Sequence, residues 1–491
     1  MPRIDVKPFL SFLKPALRGQ GPMYEELALA IKGAIDRGDW LPATRLPPER
    51  ALADGLKISR TTVVLAYARL RESGRVESRH GSGSWVRRAG KTNWPSQQEH
   101  DVSSAFRRNV VFRSLLERQG DRIGFVTAHL PPLPCVDDAA CEVAKQPLAG
   151  LSGSEGYFPM GLPDLRQAIA KHLTSRGLPT RENELMVTSG AQQGISLIAS
   201  LLVARGETVV TEDPTYIGAI DVFSAMGARL LATAGYADTL DVDRLRALLA
   251  TRPRLCYLVP DFHNPTGAVL PERARRDIAR FCEELQVPVV EDCSLSDLGL
   301  TGDPPPPIAS YRPNAPVLTI GSFSKLFWTG LRVGYLRGPE GLITRLGRFK
   351  ALSDLGSSFF PQAMTIRLLS EWRAAKQLRQ RELATKLSLL ESLLAEQLPT
   401  IRFKRPEGGM LLWARMGEGD AGDLAQIAAQ HGVTVVAGSG NSPDRRFADF
   451  LRLPFVADPA TMAEGIHRLA AAAKEYHPQQ KEPRPTFDVI V

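Results

Sequence analysis

The chain has 491 residues, 43% apolar and 23% charged, and is too long for a single hydrophobic core. Residues 1–91 hold 17 Lys and Arg against 9 Asp and Glu, whereas the remainder balances at 44 of each, so the net charge of +8 lies in the first fifth. No apolar run is long enough to span a membrane, and we expect no signal peptide. Five cysteines without a C-x-x-C pair favour a reducing cytoplasm over disulfides or a metal site.

The basic N-terminal fifth is predicted to form three helices followed by a hairpin. Helical spacing of apolar residues, paired prolines, a serine N-cap and a closing glycine support this prediction. The elements are a helix over 23–37, a second opening at Pro47-Pro48, a third from Ser59 to about Ser73, and strands over 75–78 and 84–88. Together they make a winged helix-turn-helix, assigned to residues 1–88, whose charge favours DNA over a membrane as partner.

The third helix is expected to enter the major groove of double-stranded operator DNA. Arg60, Thr61 and Thr62 lie in its first turn, where recognition helices present base contacts. Arg50 and the wing residue His80 suit contacts to phosphates or to the minor groove. For any one of these side chains the alternative is an ordinary solvated surface residue, but their order together with the charge bias favours DNA binding.

Residues 89–120 show no clear period and are interpreted as a linker. From 121 to 475, strand-like runs alternate with helical ones at 185–188, 208–211, 255–259, 288–290 and 317–320. That rhythm predicts an α/β domain with a large, mostly parallel sheet covered by helices on both faces. A smaller α+β subdomain is predicted over about 360–475, with a long first helix, strands at 409–414, 433–436 and 450–455, and a closing helix over 459–474; residues 476–491 form a tail.

The most informative motif is Gly-Ser-Phe-Ser-Lys at 321–325. The strand before it delivers Ser322, Ser324 and Lys325 into a loop at the carboxyl edge of the sheet, where α/β proteins bind ligands. An amine flanked by hydroxyls, with the guanidinium of Arg332 close behind, suits a Schiff base to an aldehyde cofactor that also carries a phosphate. On this motif alone, a surface lysine in a serine-rich loop remains an equal alternative.

Other polar residues follow the neighbouring strands. The amides of Ala191 and Gln192 open a helix after a glycine and suit a phosphate. Tyr216 suits stacking on a planar ring or core packing, and Asn264 suits a phenolic oxygen or a capped turn. Asp292 suits a protonated pyridine nitrogen or the solvated end of a strand.

Two stretches resemble known families. Residues 21–86, with Leu46–Ala53, Ile58–Val63 and His80–Ser84 as the matching pieces, resemble the GntR-type winged helix, which implies Arg50, Arg60 and Thr62 as DNA contacts. Residues 120–475 are similar in motif order and spacing to the fold-type-I aminotransferases. The fusion resembles the MocR group of transcriptional regulators.

The second resemblance implies pyridoxal 5′-phosphate held as an internal aldimine on Lys325. It also implies a homodimer, since Tyr157 would reach the phosphate across the subunit interface. Arg452 would bind a substrate carboxylate, because it points away from its neighbours Leu451 and Leu453 on a strand. The other implied roles are the pyridine nitrogen for Asp292, the ring oxygen for Asn264, ring stacking for Tyr216, and the phosphate for Ser322, Arg332 and the amides of Ala191 and Gln192.

One departure from the family bears on function. The family places a tyrosine two or three residues after the aspartate, but here those positions are Ser294 and Leu295. The missing donor weakens the case for an efficient enzyme and leaves cofactor binding intact. We therefore expect a DNA-binding regulator that senses pyridoxal phosphate, or an amino acid or amine, through aldimine exchange at Lys325. The alternatives are a working aminotransferase with an accessory DNA module, and a DNA-binding protein whose effector domain is inactive.

Overall fold

A computed structural model of the chain describes residues 21–36, 44–79, 83–86, 122–145, 156–233 and 240–477, with positions 6, 9, 10, 13, 17 and 40. Contacts divide the chain into two units, Met1–His100 and Asp101–Val491. Both the wing residue His80 and the whole of the predicted linker, 89–120, lie outside the described residues.

The N-terminal unit has the predicted three helices and hairpin. Its elements are α1 (Met23–Asp36), α2 (Glu49–Leu56), α3 (Arg60–Glu72), β1 (Val76–Arg79) and β2 (Gly83–Val86). The side chain of Ser59 accepts a hydrogen bond from the amide of Thr62 at 3.1 Å, so the predicted N-cap of α3 is confirmed. Val63, Tyr67 and Leu70 are buried on the inner face of that helix.

The second unit is built around a seven-stranded sheet. Its strands are β4 (Leu185–Thr188), β5 (Thr208–Thr211), β6 (Arg229–Ala232), β7 (Leu255–Leu258), β8 (Val289–Asp292), β9 (Val317–Ser322) and β10 (Gly334–Arg337). The strand order is β4-β10-β9-β8-β7-β5-β6, and β10 runs antiparallel to both of its neighbours while the other pairs are parallel. The predicted mostly parallel sheet is confirmed, with β6 and β10 as strands that the sequence pattern did not indicate.

Helices connect these strands and cover the sheet. They are α4 (Pro134–Lys145), α5 (Pro163–Ser175), α6 (Ala191–Leu202), α7 (Ile217–Ala225), α8 (Val242–Ala250), α9 (Glu272–Leu285) and α10 (Glu340–Asp354). Separate apolar clusters surround the sheet: one includes Val187, Leu258 and Phe281, and another includes Met186, Tyr257 and Leu336. Adjacent strand residues enter different clusters, which is the pattern of a sheet buried on both faces.

The smaller subdomain contains a five-stranded sheet of order β11-β12-β14-β13-β3, in which β3 is Ile123–Phe125. Its elements after the large sheet are α11 (Phe359–Leu368), α12 (Trp372–Gln397), β11 (Arg402–Phe403), β12 (Leu411–Arg415), α13 (Ala421–Gln430), β13 (Val433–Ala437), β14 (Phe450–Pro454) and α14 (Pro459–Glu475). The long helix predicted from about residue 360 is therefore two helices, separated by a 3₁₀ turn at Leu369–Glu371.

The last strand of this sheet comes from the other end of the unit. β3 (Ile123–Phe125) pairs in parallel with β13, with Ile123 opposite Val433 and Phe125 opposite Val435. The chain then runs from β3 to α4 and passes the loop that follows β9, where Lys325 Nζ donates to the carbonyl oxygen of Ala128. This crossing places residues 126–130 next to the predicted lysine.

Candidate functional site

One cavity of about 480 Å³ gathers nearly all the residues that the sequence singled out in this unit. The carboxyl ends of β5, β7, β8 and β9 reach it, as α/β sheets predict for ligand sites. Its lining includes Ala191, Gln192, Tyr216, Asn264, Asp292, Ser322, Ser324, Lys325, Arg332 and Arg452. The lining also includes Thr127, Ala128, His129, Val259, Ser294, Leu295, Thr329, Met410 and Leu411, which the sequence reasoning did not assign to the site as binding residues.

Lys325 lies in the loop after β9, and its Nζ donates a hydrogen bond to the carbonyl oxygen of Ala128 at 3.1 Å. Burial lowers the pKa of this amine to about 8, and the nearby cations Arg452 and Arg332 act in the same direction. Asp292 opposes them. The neutral, nucleophilic form of the amine is therefore far more populated near physiological pH than in an ordinary lysine, although the charged form still predominates.

Asp292 ends β8 and is almost fully buried. Its Oδ2 accepts a hydrogen bond from the hydroxyl of Tyr257 at 2.8 Å, and its Oδ1 accepts from the amide and the hydroxyl of Ser294. Burial raises the pKa of the carboxyl group, while the hydrogen bonds from Ser294 and Tyr257 act in the opposite direction. The carboxylate is thus held in one orientation by donors from two segments.

The amino end of α6 forms the next wall of the cavity. Gly190 precedes it with φ of +106°, and an added Cβ there would lie 3.1 Å from the guanidinium of Arg332. That guanidinium donates to the carbonyl oxygen of Ser189. The amides at the start of this helix, the guanidinium and the hydroxyls of Ser322 and Ser324 form one corner of the cavity, and this set of donors is suited to an anion.

Tyr216 is fixed by a hydrogen bond from its hydroxyl to Oε1 of Gln192, at 2.9 Å. Burial raises the pKa of the phenol to about 12, with Asp292 adding to the shift, so the hydroxyl stays protonated. Its bond to Gln192 attaches the ring to the start of α6. The aromatic ring and the anion-binding corner are therefore neighbours.

Arg452 lies on β14 and is 4% exposed. Its Nη1 donates to the carbonyl oxygen of Val126 at 2.8 Å, and burial lowers the pKa of the guanidinium to about 10. Leu451 and Leu453 on either side belong to the apolar core, so Arg452 is the residue of this strand segment that lines the cavity, as alternation predicts.

Three buried polar atoms of cavity residues have no hydrogen-bond partner among the described residues: Oδ1 of Asn264, Oγ of Ser324 and Nε of Arg452. Buried polar groups in folded proteins are nearly always paired, because an unpaired one costs about 1–3 kcal/mol. Their concentration in one cavity is typical of a binding site whose ligand supplies the partners.

The structure does not bring Tyr157 into this cavity. Tyr157 is 62% exposed, and Leu352, Leu355 and Phe360 are also exposed apolar side chains. The backbone of Phe158 packs against Gly356, which has φ of +133° and no room for a Cβ. This contact places the segment that carries Tyr157 beside the segment that carries Leu355.

In the N-terminal unit, Arg50, Arg60 and Thr61 are exposed, as DNA contacts require. Arg60 lies 3.5 Å from the carboxylate of Glu49. The hydroxyl of Thr62 shares a hydrogen bond with Ser59 at 2.8 Å, so this side chain also stabilises the start of α3.

Membrane-spanning helices and metal-binding clusters were both considered in the described residues. Within them, no helix combines the length and apolar character needed to cross a membrane. The same residues contain no group of three histidine, cysteine or acidic side chains placed to hold a metal ion.

Each of the two units matches a known protein family. The family of class I and II aminotransferases matches residues 127–469, and the gntR family of bacterial regulatory proteins matches residues 23–86. The uncharacterized HTH-type transcriptional regulator YdfD of Bacillus subtilis is 29% identical, over 92% of this chain and 97% of its own. The probable rhizopine catabolism regulatory protein MocR of Rhizobium meliloti is 27% identical, over 92% of this chain and 94% of its own.

A solved structure matches the second unit. It is LysN, the α-aminoadipate aminotransferase of Thermus thermophilus, complexed with N-(5′-phosphopyridoxyl)-L-leucine. The TM-score is 0.67 at 27% identity, and the match covers 76% of this chain and 97% of that chain.

Proposed function

The chain belongs to the class I and II aminotransferase family and carries a GntR-type regulator domain in the MocR arrangement, and from this we propose that its aminotransferase-like domain is a pyridoxal 5′-phosphate sensor. The protein is a DNA-binding transcriptional regulator. Its signal is pyridoxal phosphate itself, or an amino acid or amine that exchanges at Lys325.

The observation that supports the proposal most directly is the chemistry of the cavity. A buried amine of lowered pKa, a buried carboxylate and an anion-binding corner face the same space. When bound, the cofactor supplies an aldehyde that condenses with a primary amine, and an electron-withdrawing ring. The unpartnered Oγ of Ser324 and Nε of Arg452 fit a ligand that carries a phosphate and a carboxylate, and the unpartnered Oδ1 of Asn264 fits a ring hydroxyl that donates to it.

Each residue then has a distinct task. Lys325 is the nucleophile, and Asp292 holds a proton on the ring nitrogen. Tyr216 stacks on the ring and Asn264 binds its oxygen. The phosphate is held by Ser322, Ser324, Arg332 and the amides of Ala191 and Gln192.

Arg452 defines the ligand class of the sensor. Its Nη1 is engaged with Val126, whereas its Nε is buried and unpartnered among the described residues. The free side of the guanidinium is therefore available to a carboxylate through two parallel hydrogen bonds. We infer that the effector, where it is not the cofactor alone, carries a primary amine and a carboxylate.

A homodimer belongs to this proposal. Tyr157 and the exposed apolar side chains of Leu352, Leu355 and Phe360 form a surface that water solvates poorly. A second copy of the chain is the occupant that would also carry Tyr157 to the phosphate of its partner. Because operator DNA is the partner of the N-terminal unit, we place the protein in the cytoplasm.

A working aminotransferase is the second candidate, favoured by Arg452 and by the amine of Lys325. Against it, Ser294 stands where the family has a tyrosine, and its hydroxyl donates to Asp292. In the present proposal the site therefore binds amino acids with little turnover.

The test is the visible absorption of the cofactor-loaded protein, titrated with a panel of amino acids and amines. A stable shifted band without conversion to the pyridoxamine form supports the sensor. Loss of the band with release of an oxo acid favours the enzyme. The Lys325→Ala variant is expected to take up no cofactor on reconstitution. If the unaltered protein also took up none, only a constitutive DNA-binding protein would remain as its function.

A further inference from the structure

The segment from Val126 to Leu130 is in contact with Lys325 and Arg452, the two basic side chains that bind the ligand in the proposed function. Lys325 Nζ donates to the carbonyl oxygen of Ala128, and Arg452 Nη1 donates to that of Val126. Both carbonyls belong to backbone that lines the cavity or adjoins it. Neither contact was apparent in the sequence, since backbone oxygens carry no sequence signal.

Both ends of this segment are anchored independently of the ligand site. On the amino side, the amide of Ile123 donates to the carbonyl of Gly432 at 2.9 Å, and β3 pairs with β13. On the carboxyl side, the amide of Leu130 donates to Oγ1 of Thr329 at 3.0 Å, and that of Leu133 donates to the carbonyl of Phe327 at 3.1 Å. Between these anchors, the side-chain donors that the described residues offer to the carbonyls of residues 126–128 are Lys325 and Arg452.

Attachment of the cofactor changes one of these donors chemically. When Lys325 Nζ condenses with the aldehyde, a carbon–nitrogen double bond replaces the carbon–oxygen double bond, and the oxygen leaves as water with two hydrogens from the amine. The nitrogen then keeps at most one proton and is tied to the cofactor. The hydrogen bond to Ala128 is lost, and a ligand amine that takes over the same carbon returns two hydrogens to Nζ and restores it.

The position of this segment in the chain suggests which part of the protein would respond to the exchange at Lys325. Residues 122–130 belong to the second unit and come just after the predicted linker, 89–120, in the chain, and the DNA-binding unit, Met1–His100, precedes them. We propose that the backbone of Val126–Leu130 is the element that passes the chemical state of Lys325 to the DNA-binding unit. It is held when Lys325 is a free amine and is loosened when Lys325 is attached to the cofactor. The ligand part of this inference rests on the proposed function, whereas the contact itself does not.

The experiment is amide hydrogen exchange of the full-length chain, read on peptides covering residues 122–130. Lys325→Met removes the donor at nearly equal length, and Lys325→Arg keeps a donor that cannot condense with an aldehyde. Without cofactor, we expect exchange in the methionine variant to be about five- to tenfold faster than in the arginine variant, as the loss of one hydrogen bond requires. Peptides from β7 serve as the control for intact folding.

The same pair of variants is compared for binding to DNA fragments selected with the unaltered protein. We expect operator affinities that differ at least fivefold between Lys325→Met and Lys325→Arg. In the unaltered protein, adding pyridoxal phosphate should speed exchange in residues 122–130 and slow it again when a bound amine displaces Lys325. Equal exchange or equal operator affinity in the two variants would overturn the inference.

Failure of the proposed function is recognised separately. In that case the unaltered protein develops no visible cofactor band, although the two variants still differ in exchange and in operator affinity. A band that forms normally while the two variants behave alike would leave the sensor in place and remove Val126–Leu130 as its transmitter.

Discussion

The hydroxyl of Tyr257 donates to Oδ2 of Asp292 at 2.8 Å, inside the sheet and out of reach of solvent. Tyr257 lies on β7 and Asp292 on the adjacent parallel strand β8. The carboxylate that is proposed to hold the ring nitrogen is therefore oriented by a side chain that does not line the cavity. Tyr257 is a positioning residue.

Replacing Tyr257 with phenylalanine should weaken cofactor binding about tenfold, because a buried charge-assisted hydrogen bond is lost. The remaining burial should raise the pKa of Asp292 further, so the cofactor band should become more sensitive to acid. Spectroscopic titration with pyridoxal phosphate at several pH values measures both effects. Tyr67→Phe is the matched control, since that buried hydroxyl donates to Pro47 in the other unit. Equal effects of the two variants would contradict the role of Tyr257.

The rate of cofactor attachment should follow the protonation of Lys325. Below pH of about 8 the amine is mostly charged and cannot attack an aldehyde, and above it the amine is mostly neutral. Stopped-flow absorption should therefore give an attachment rate that rises with pH, and the midpoint of this rise should lie near pH 8. The ordinary pKa of a lysine side chain is well above this, at about 10.4. Lysine acetylated on its α-amine provides the reference in solution. A midpoint close to that reference would show that the cavity does not lower the pKa.

Arg452→Gln should separate amino acids from amines. Loss of the charged, two-point contact should weaken the spectral response to amino acids by about ten- to a hundredfold. Amines without a carboxylate should respond as before. Arg415→Gln is the control on the neighbouring strand, where the exposed guanidinium pairs with Asp449 outside the cavity. If amino acids and amines weakened equally, Arg452 would not be the carboxylate contact.

Arg60→Ala should reduce operator affinity about ten- to a hundredfold and leave the cofactor spectrum unchanged. Arg69→Ala removes an exposed arginine from the other end of the same helix, where it lies 3.6 Å from Glu25, and should have a smaller effect. Fluorescence anisotropy with labelled operator DNA measures both. Unaltered affinity in Arg60→Ala would mean that α3 is not the recognition helix.

Much of the site could be predicted from sequence because its side chains follow strands. Asp292, Lys325 and Asn264 stand where apolar runs end, and parallel strands bring such ends to one edge of a sheet. Tyr257 was missed because an aromatic inside a buried strand is indistinguishable from core packing in the pattern. Val126 and Ala128 act through backbone oxygens, which any residue supplies.

The fold shows the same division. Among the parallel strands, β5, β8 and β9 contain β-branched apolar residues. In contrast, β10 begins with glycine and is defined by pairing with β4 and β9. β3 is three residues long, too short for any periodicity, and exists because β13 offers it an edge. The break at Leu369–Glu371 contains neither proline nor glycine, so no local signal marks it.

The family match begins at residue 127, but the pairing of β3 with β13 places the physical boundary of the second unit earlier. A fragment cut at 127 would leave β13 as an uncovered edge strand, with Val433 and Val435 no longer shielded. Exposed apolar edges recruit other chains, so such a fragment should aggregate. A fragment starting at Arg122 keeps β3 paired with β13 and should therefore aggregate less.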